Sequence, residues 1–310
     1  MMEGNNKKIY MQEVVTRDGF QNEKNFISTD KKIELINQLS QCGYSKIEVT
    51  SFTSPKAIPA LRDAEQVMQG IIRHPDITYI RGAERALSCD VDEVNLVMSA
   101  SEAHNLSNLR MARETSFYGL CQVINEVQPS NTFINVSLST AFGCPMEGNV
   151  SLETVLSWVA RFEEKGVHGI TLCDTTGMAY PTQVAEMVAA FKKRFPYLQL
   201  TVHLHNTRGM ALSNALAAIE NGADRFDSAL GGLGGCPYAP GATGNVSTED
   251  LVHMLELMGY CTGINQEKVL KAAARLPALV HHDVPSQVLK AGHRLNLHDI
   301  PDTIKEHQGN

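Results

Sequence analysis

The spacing of apolar and polar side chains divides the 310-residue chain into eight strand-like runs separated by helix-like ones. The strand-like runs are Ile9 to Thr16, Lys46 to Ser51, Ile77 to Ala83, Glu93 to Met98, Phe133 to Ser139, Gly169 to Asp174, Leu198 to Asn206 and Ala223 to Leu230. Between them the helical period i, i+3, i+4, i+7 is kept by Leu152, Val155, Leu156, Val159 and Phe162, by Val184, Met187, Val188 and Phe191, and by Leu251, Met254, Leu255 and Met258. Ser54-Pro55 reads as an N-cap followed by proline at N1, Pro181 opens a helix, and Ser247 with Asp250 resembles a capping box.

Strands alternating with helices admit a doubly wound sheet or a closed barrel. In Phe133 to Ser139, Ile134, Val136 and Leu138 fall on one face and Asn135, Ser137 and Ser139 on the other. A parallel sheet covered on both faces reads instead as a nearly continuous apolar run, so the alternation favours an α/β fold of the (β/α)8 TIM barrel type. We expect the barrel to occupy residues 1–264 and a C-terminal helical extension to occupy 265–310, packed on the barrel or on a second subunit. Arg85 to Asp92 is short for a third helix, and Ala100 to Asn131 is long enough for a helix plus an extra turn. In such a barrel, chemistry belongs at the C-terminal ends of the strands and in the loops that follow.

The seventh run, LQLTVHLHN, places Gln199, Thr201, His203 and His205 on one face. Two imidazoles on one strand can give two nitrogens to one metal ion; two hydrogen-bonded histidines on a polar strand face are the simpler alternative. After the first run, Arg17 and Asp18 precede Gly19, as in a metal-facing rim or an ordinary solvated turn. Glu48 lies within a strand, where a carboxylate is costly unless it meets a cation or a water on a metal. Asp174 ends the sixth run, as a reactive carboxyl or a turn cap. Past the eighth run, GGLGGCPYAPGATGN has the composition of a lid or close-approach loop, with Cys236 exposed within it. Its glycine spacing does not match a dinucleotide fingerprint.

The formal net charge of -7, without a long basic run, argues against nucleic acid or an anionic membrane as partner. Seven scattered cysteines without a CxxC pair fit free thiols in a reducing compartment. The start MMEGNNKK has no hydrophobic signal region, so a cytoplasmic location is expected. Trp158, Met187, Met254 and Met258 read as packing residues, and His281-His282-Asp283 as a solvated loop.

Taken in order, TRDGFQNE, IEVTSFTSPK, AFGCPMEG, CDTTGMAYP, HLHNTRG and GGLGGCPYAPGATGN resemble the hydroxymethylglutaryl-CoA lyases, metal-dependent barrel enzymes, from about Ile9 to about Gly263. The resemblance implies cleavage of hydroxymethylglutaryl-CoA to acetyl-CoA and acetoacetate, or of a related 3-hydroxyacyl-CoA. It implies a divalent metal, magnesium or manganese, held by Asp18, His203, His205 and Asn245, with Glu48 behind them. It further implies Arg17 at the thioester oxygen and Asp174 and Cys236 in proton transfer, and the chemistry leaves Asp174, His203 or a water on the metal as the base for the hydroxyl proton. Coenzyme A enters only as part of the acyl-CoA substrate, and a homodimer or higher homo-oligomer is expected. Asn206 stands where the mitochondrial-type lyases have aspartate, and Arg208 where they have tyrosine; the third unit, Tyr79 to Glu84, lacks their Pro-Asn run. These departures bear on the substrate more than on the reaction, with Gln21 and Arg208 as further candidate substrate contacts.

Overall fold

The computed structural model describes residues 7–52, 55–56, 58–82, 92–235, 244–297 and 299–301. Eight parallel strands close into a barrel in sequence order: β1 (Tyr10–Glu13), β2 (Lys46–Ser51), β3 (Thr78–Gly82), β4 (Glu93–Ser99), β5 (Phe133–Ser139), β6 (Gly169–Asp174), β7 (Gln199–Leu204) and β8 (Arg225–Ser228). β8 pairs back onto β1 through Tyr10 and Arg225, which closes the ring. The helices in chain order are α1 (Thr29–Leu39), α2 (Ala64–Gly70), α3 (Glu102–Leu109), α4 (Arg113–Val127), α5 (Leu152–Glu163), α6 (Pro181–Arg194), α7 (Ala211–Glu220) and α8 (Thr248–Leu257). Among the described residues, no helix is long and apolar enough to cross a membrane.

The strand alternation has a direct structural consequence. Apolar residues such as Ile134, Val136, Leu138, Leu200 and Val202 are buried in the layer under the helices. Their polar neighbours turn inward and hydrogen-bond to one another. Asn135 donates to Asn95 Oδ1 and to Thr171 Oγ1, each at 2.9 Å, and Ser137 donates to Asn95 Oδ1 at 2.9 Å. Toward the N-terminal end of the barrel, Lys46 is ion-paired with Glu93, donates to Gln199 Oε1 at 3.2 Å and stands 4.6 Å from the centre of the Phe133 ring. Polar groups in this interior are tolerable because they find partners there.

Several elements depart from the sequence pattern for identifiable reasons. The first strand ends at Glu13, not Thr16. Residues Val15–Gly19 form one wide π-type turn in which Asp18 and Gly19 both donate to the Val14 carbonyl. Such turns within helical geometry often mark functional sites. No helix starts at Pro55, which sits in a turn; Ser54 lies outside the described residues, and α2 starts at Ala64. The long fourth connection resolves into α3 and α4, while residues 83–91 of the short third one lie outside the described residues. Met258 follows the last residue of α8 and is 41% exposed, so it does not belong to the core stripe.

The tail forms α9 (Gln266–Ala273), α10 (Leu276–Val280) and α11 (Gln287–Ala291), with α9 against α1 and α8, and α11 against α8. Only half of the expected capping box forms at α8. Ser247 accepts from the Asp250 N–H, but the Asp250 carboxylate accepts from the N–H groups of Gln287 and Val288 and thereby caps α11. His282 lies 3.0 Å from Glu23 in an exposed loop.

Candidate metal centre

The C-terminal rim of the barrel gathers residues from distant parts of the chain. The π-type turn after β1 presents Arg17 and Asp18, and β7 presents His203 with His205 just beyond its end. Asn245 is laid beside His205 by two backbone hydrogen bonds, Asn206 N–H to the Gly244 carbonyl at 3.0 Å and Val246 N–H to the Leu204 carbonyl at 2.9 Å. Asp18, His203 and His205 are all buried, and each offers a ligand atom within 4.8 Å of the others. The two Nε2 atoms are 3.1 Å apart.

Each member is held from behind. Asp18 Oδ1 accepts from Gln21 at 2.7 Å and Arg17 at 2.9 Å, and its Oδ2 accepts from Asn245 Nδ2 at 2.7 Å. Gln21 therefore orients a carboxylate here. Glu48 pairs with Arg17 at 2.8 Å and accepts from Asn95 at 3.2 Å, which supplies the cation expected of a strand carboxylate. Gly234, at φ +124°, passes so close that a Cβ would stand 2.3 Å from Asn245 Nδ2, and this approach demands glycine.

Asp227 on β8 is a site residue that the sequence pattern did not single out. Its Oδ2 lies 3.1 Å from His203 Nδ1, directly across the strand pair. An Nδ1–H donated to this carboxylate would leave Nε2 as the ligand atom, the usual support for a metal-bound imidazole. Alternation within Arg225-Phe226-Asp227 already put Asp227 on the face of Arg225. Only barrel closure shows that the histidine strand is its neighbour.

Burial opposes charge on Asp18, but Arg17 and the two histidines outweigh it and hold the carboxyl below its ordinary range. For His203 burial again disfavours charge, and Asp227 and Asp18 nonetheless hold the imidazole above its usual value. His205 is pushed down to about 3 by burial and by His203, so it is neutral and able to donate its lone pair. A cluster of carboxylates that draws a proton onto an imidazole also attracts a metal ion. Asn245 Oδ1 and His205 Nδ1 are buried without a hydrogen-bond partner among the described residues, as expected where an oxygen donor is reserved for an ion. Carboxylate and amide oxygens with two imidazoles fit a divalent cation.

A cavity of about 100 Å³ opens beside the cluster, with Val97, Ser137, Ser139, Cys173 and Thr175 facing it. Larger clefts of about 430 and 610 Å³ lie beside Lys8 and Tyr10 and along α8; they are lined by none of the residues singled out from the sequence. Asp174 sits one position off the inward row, opposite Leu204, and Cys173 takes the wall position. Its Oδ1 accepts from Met178 and Ala179 at 2.7 and 3.0 Å, while Oδ2 is buried with no partner. Burial pushes this carboxyl up to about 6, against those backbone donors. Arg208 Nη1 donates to the Thr176 and Gly177 carbonyls at 3.0 and 2.8 Å, and among the described residues it meets no carboxylate. Asn206 Oδ1 accepts from the Ala211 N–H at 3.1 Å. Cys236 lies outside the described residues.

Residues 8–276 match the HMGL-like family model. The chain belongs to the HMGL-like family. Among curated relatives of this HMGL-like chain, the hydroxymethylglutaryl-CoA lyase YngG of Bacillus subtilis is 45% identical, over 92% of this chain and 97% of that protein. The mitochondrial hydroxymethylglutaryl-CoA lyase of Homo sapiens is 40% identical, over 92% of this chain and 90% of its own length. Among solved structures, an HMG-CoA lyase from A. baumannii in complex with coenzyme A and 3-methylmalate superposes with a TM-score of 0.92 at 50% identity, covering 97% of this chain and all of that one.

Proposed function

We propose that this chain is a metal-dependent carbon–carbon lyase that cleaves hydroxymethylglutaryl-CoA to acetyl-CoA and acetoacetate. The observation that carries the proposal is the placement of Arg17 against a buried Asp18–His203–His205 cluster at the mouth of the barrel. The family membership and the hydroxymethylglutaryl-CoA lyases at 40–45% identity support the same reaction.

The reaction needs the proton of the tertiary hydroxyl removed. The O–H electrons then form the ketone of acetoacetate, and the broken carbon–carbon bond leaves its pair on the thioester's alpha carbon as an enolate. A divalent ion such as magnesium or manganese, held by Asp18, His203, His205 and Asn245, supplies Lewis acidity toward the hydroxyl and carboxylate oxygens of the acyl chain. Arg17 neutralises charge developing on the thioester oxygen. Its guanidinium is permanently charged and aimed by Glu48 at 2.8 Å and Asp18 at 2.9 Å, so it needs little reorganisation. His203, whose ring faces the cavity, or Asp174, one position off that row, takes the hydroxyl proton. A carboxyl pushed up to about 6 has affinity enough for that proton while remaining substantially ionised at neutral pH. Arg208 steadies the loop after Asp174 through the carbonyls of Thr176 and Gly177. Cys236, within the glycine-rich sequence, returns a proton to the alpha carbon.

We also place the enzyme in a reducing, cytoplasmic setting, supported by the free thiols Cys42, Cys121, Cys144, Cys173 and Cys261. The decisive experiment is a panel of 3-hydroxyacyl-CoA thioesters incubated with the protein and magnesium or manganese and read by acetyl-CoA formation. Release from hydroxymethylglutaryl-CoA that is abolished by chelation supports the assignment. Release only from a differently substituted thioester moves it to another acyl substrate, and metal binding without any product overturns it.

A further inference from the structure

Glu13 is a carboxylate with no part in the chemistry above, yet it is fully buried at the last position of β1. Its Oε1 accepts from the backbone N–H groups of Val15 and Leu230, each at 2.9 Å, and its Oε2 accepts from the Thr248 hydroxyl at 2.9 Å. Val15 begins the turn that presents Arg17 and Asp18. Leu230 stands at the entry of the glycine-rich connection and Thr248 just after its exit, three positions beyond Asn245. One side chain thus fastens the three backbone segments whose alignment sets the 2.7 Å contact between Asp18 and Asn245. A 2.8 Å hydrogen bond between the Thr248 and Ser228 hydroxyls extends the fastening to the end of β8. Glu249 grips the next residue independently: its two oxygens accept from Gly231 N–H at 3.0 and 2.9 Å.

We propose that Glu13 is a positioning residue that clamps both roots of the glycine-rich connection to the Arg17–Asp18 turn and so sets the spacing of two ligand oxygens. The inference rests on the reading of Asp18 and Asn245 as ion ligands. Burying a carboxylate among neutral donors costs stability, so the feature calls for a compensating role. Here the compensation is geometric: backbone hydrogen bonds from Val14 to Ser228 (3.0 Å) and from Thr248 to Ala229 (3.1 Å) join these segments pairwise, and the two acceptor oxygens on a three-bond arm tie all three at one point, through Val15, Leu230 and Thr248. Glutamine can reproduce the pattern, with Oε1 accepting both N–H groups and Nε2 donating to Thr248 Oγ1. Aspartate is one methylene too short, and alanine removes every contact.

The test measures Mn2+ affinity by electron paramagnetic resonance, hydrogen exchange of peptides covering Val14–Gly19 and Ala229–Gly235, and kcat and KM separately. Glu13→Ala should speed exchange in both peptides together, weaken Mn2+ at least tenfold and lower kcat more than it raises KM, whereas Glu13→Gln should restore all three. Thr248→Val, which cuts one arm and keeps the shape, should fall between them; should Glu13→Ala fail to fold, Thr248→Val and Glu13→Asp decide. Mn2+ affinity and kcat within twofold of the parent, while the peptides exchange faster or the melting temperature falls, would reduce Glu13 to a merely structural group. If Asp18→Ala also leaves Mn2+ binding untouched, the ligand reading fails instead, a result distinguishable from loss of the clamp.

Discussion

Replacing Asp227 by alanine isolates the contribution of a single buried contact to the metal centre. The carboxylate is 6% exposed and lies 3.1 Å from His203 Nδ1, so bulk water screens the pair little. A hydrogen bond to a charged partner contributes about 1.5–3 kcal/mol. Without it the ring hydrogen is free to move to Nε2, the nitrogen that faces His205 and Asp18. At about 1.4 kcal/mol per factor of ten, the loss of that preference weakens metal binding by about tenfold to a hundredfold, the range found when supporting partners of metal ligands are removed.

A compensating effect keeps the damage local. Asp227 also disfavours ionisation of Glu48 and Glu93, so removing its charge relieves strain on both while exposing His203. Asp227→Ala should therefore lose metal affinity out of proportion to stability. Asp227→Asn keeps an oxygen able to accept from Nδ1–H, and its affinity should fall only severalfold. Mn2+ titration monitored by electron paramagnetic resonance gives the affinities, and ¹⁵N shifts of the His203 ring report the tautomer directly. Affinity within about twofold of the parent in Asp227→Ala, with the ring hydrogen still on Nδ1, refutes the reasoning.

Arg17→Gln should lower turnover by several orders of magnitude while Mn2+ still binds, since the guanidinium touches the ligand set without belonging to it; near-normal turnover removes Arg17 from the mechanism. Gly234→Ala places a methyl against Asn245 Nδ2 in a backbone conformation that L-residues rarely adopt, so Mn2+ affinity should fall at least about tenfold with the far-ultraviolet circular dichroism unchanged. Glu13, Glu93 and Glu249 are each pushed from 4.5 up to about 7, chiefly by burial. The native state therefore binds more protons than the unfolded chain between those values, and stability from these groups is full below about pH 4.5 and is lost as pH rises through 7. Each shift corresponds to on the order of 3 kcal/mol, and urea midpoints at pH 5.5 and 8 should differ less in Glu249→Gln than in the parent; an unchanged difference rejects the attribution.

Much of this architecture is legible as periodicity. The inward row of β5, Asn135 to Ser139, separated a barrel from a flat sheet because polar groups at every second position need an enclosed polar partner set, and Asn95 and Thr171 supply it. Four site positions followed from motifs, and the fold brings Arg17, Asp18, His203 and His205 together. Hidden features were those decided by contacts between strands. Val14-Val15-Thr16 is a β-branched run that reads as strand, yet Glu13 takes the Val15 N–H that would continue the ladder and the chain turns. Asp227 needed the pairing of β7 with β8, which no local pattern contains.

The interior of the barrel links fold to chemistry through its charge balance. From the N-terminal end upward, the described side chains include Glu93 with Lys46, Glu48 with Arg17, and then Asp227 and Asp18 facing His203. Four carboxyl groups accompany Lys46 and the permanently charged Arg17, and the carboxyl groups without a cation of their own lie at the rim where the imidazoles point. Lys46 balances Glu93 deep in the barrel and is too far down the ladder to serve the rim, whereas Arg17 is already shared between Glu48 and Asp18. Polar residues that enclose such a pattern in a low-dielectric shell strengthen every charge interaction inside it. A divalent cation at Asp18, His203 and His205 offsets the remaining charge, and the guanidinium beside it is held where an enolate oxygen would form. The same alternation that closes the barrel therefore builds the electrostatic demand that the proposed reaction uses.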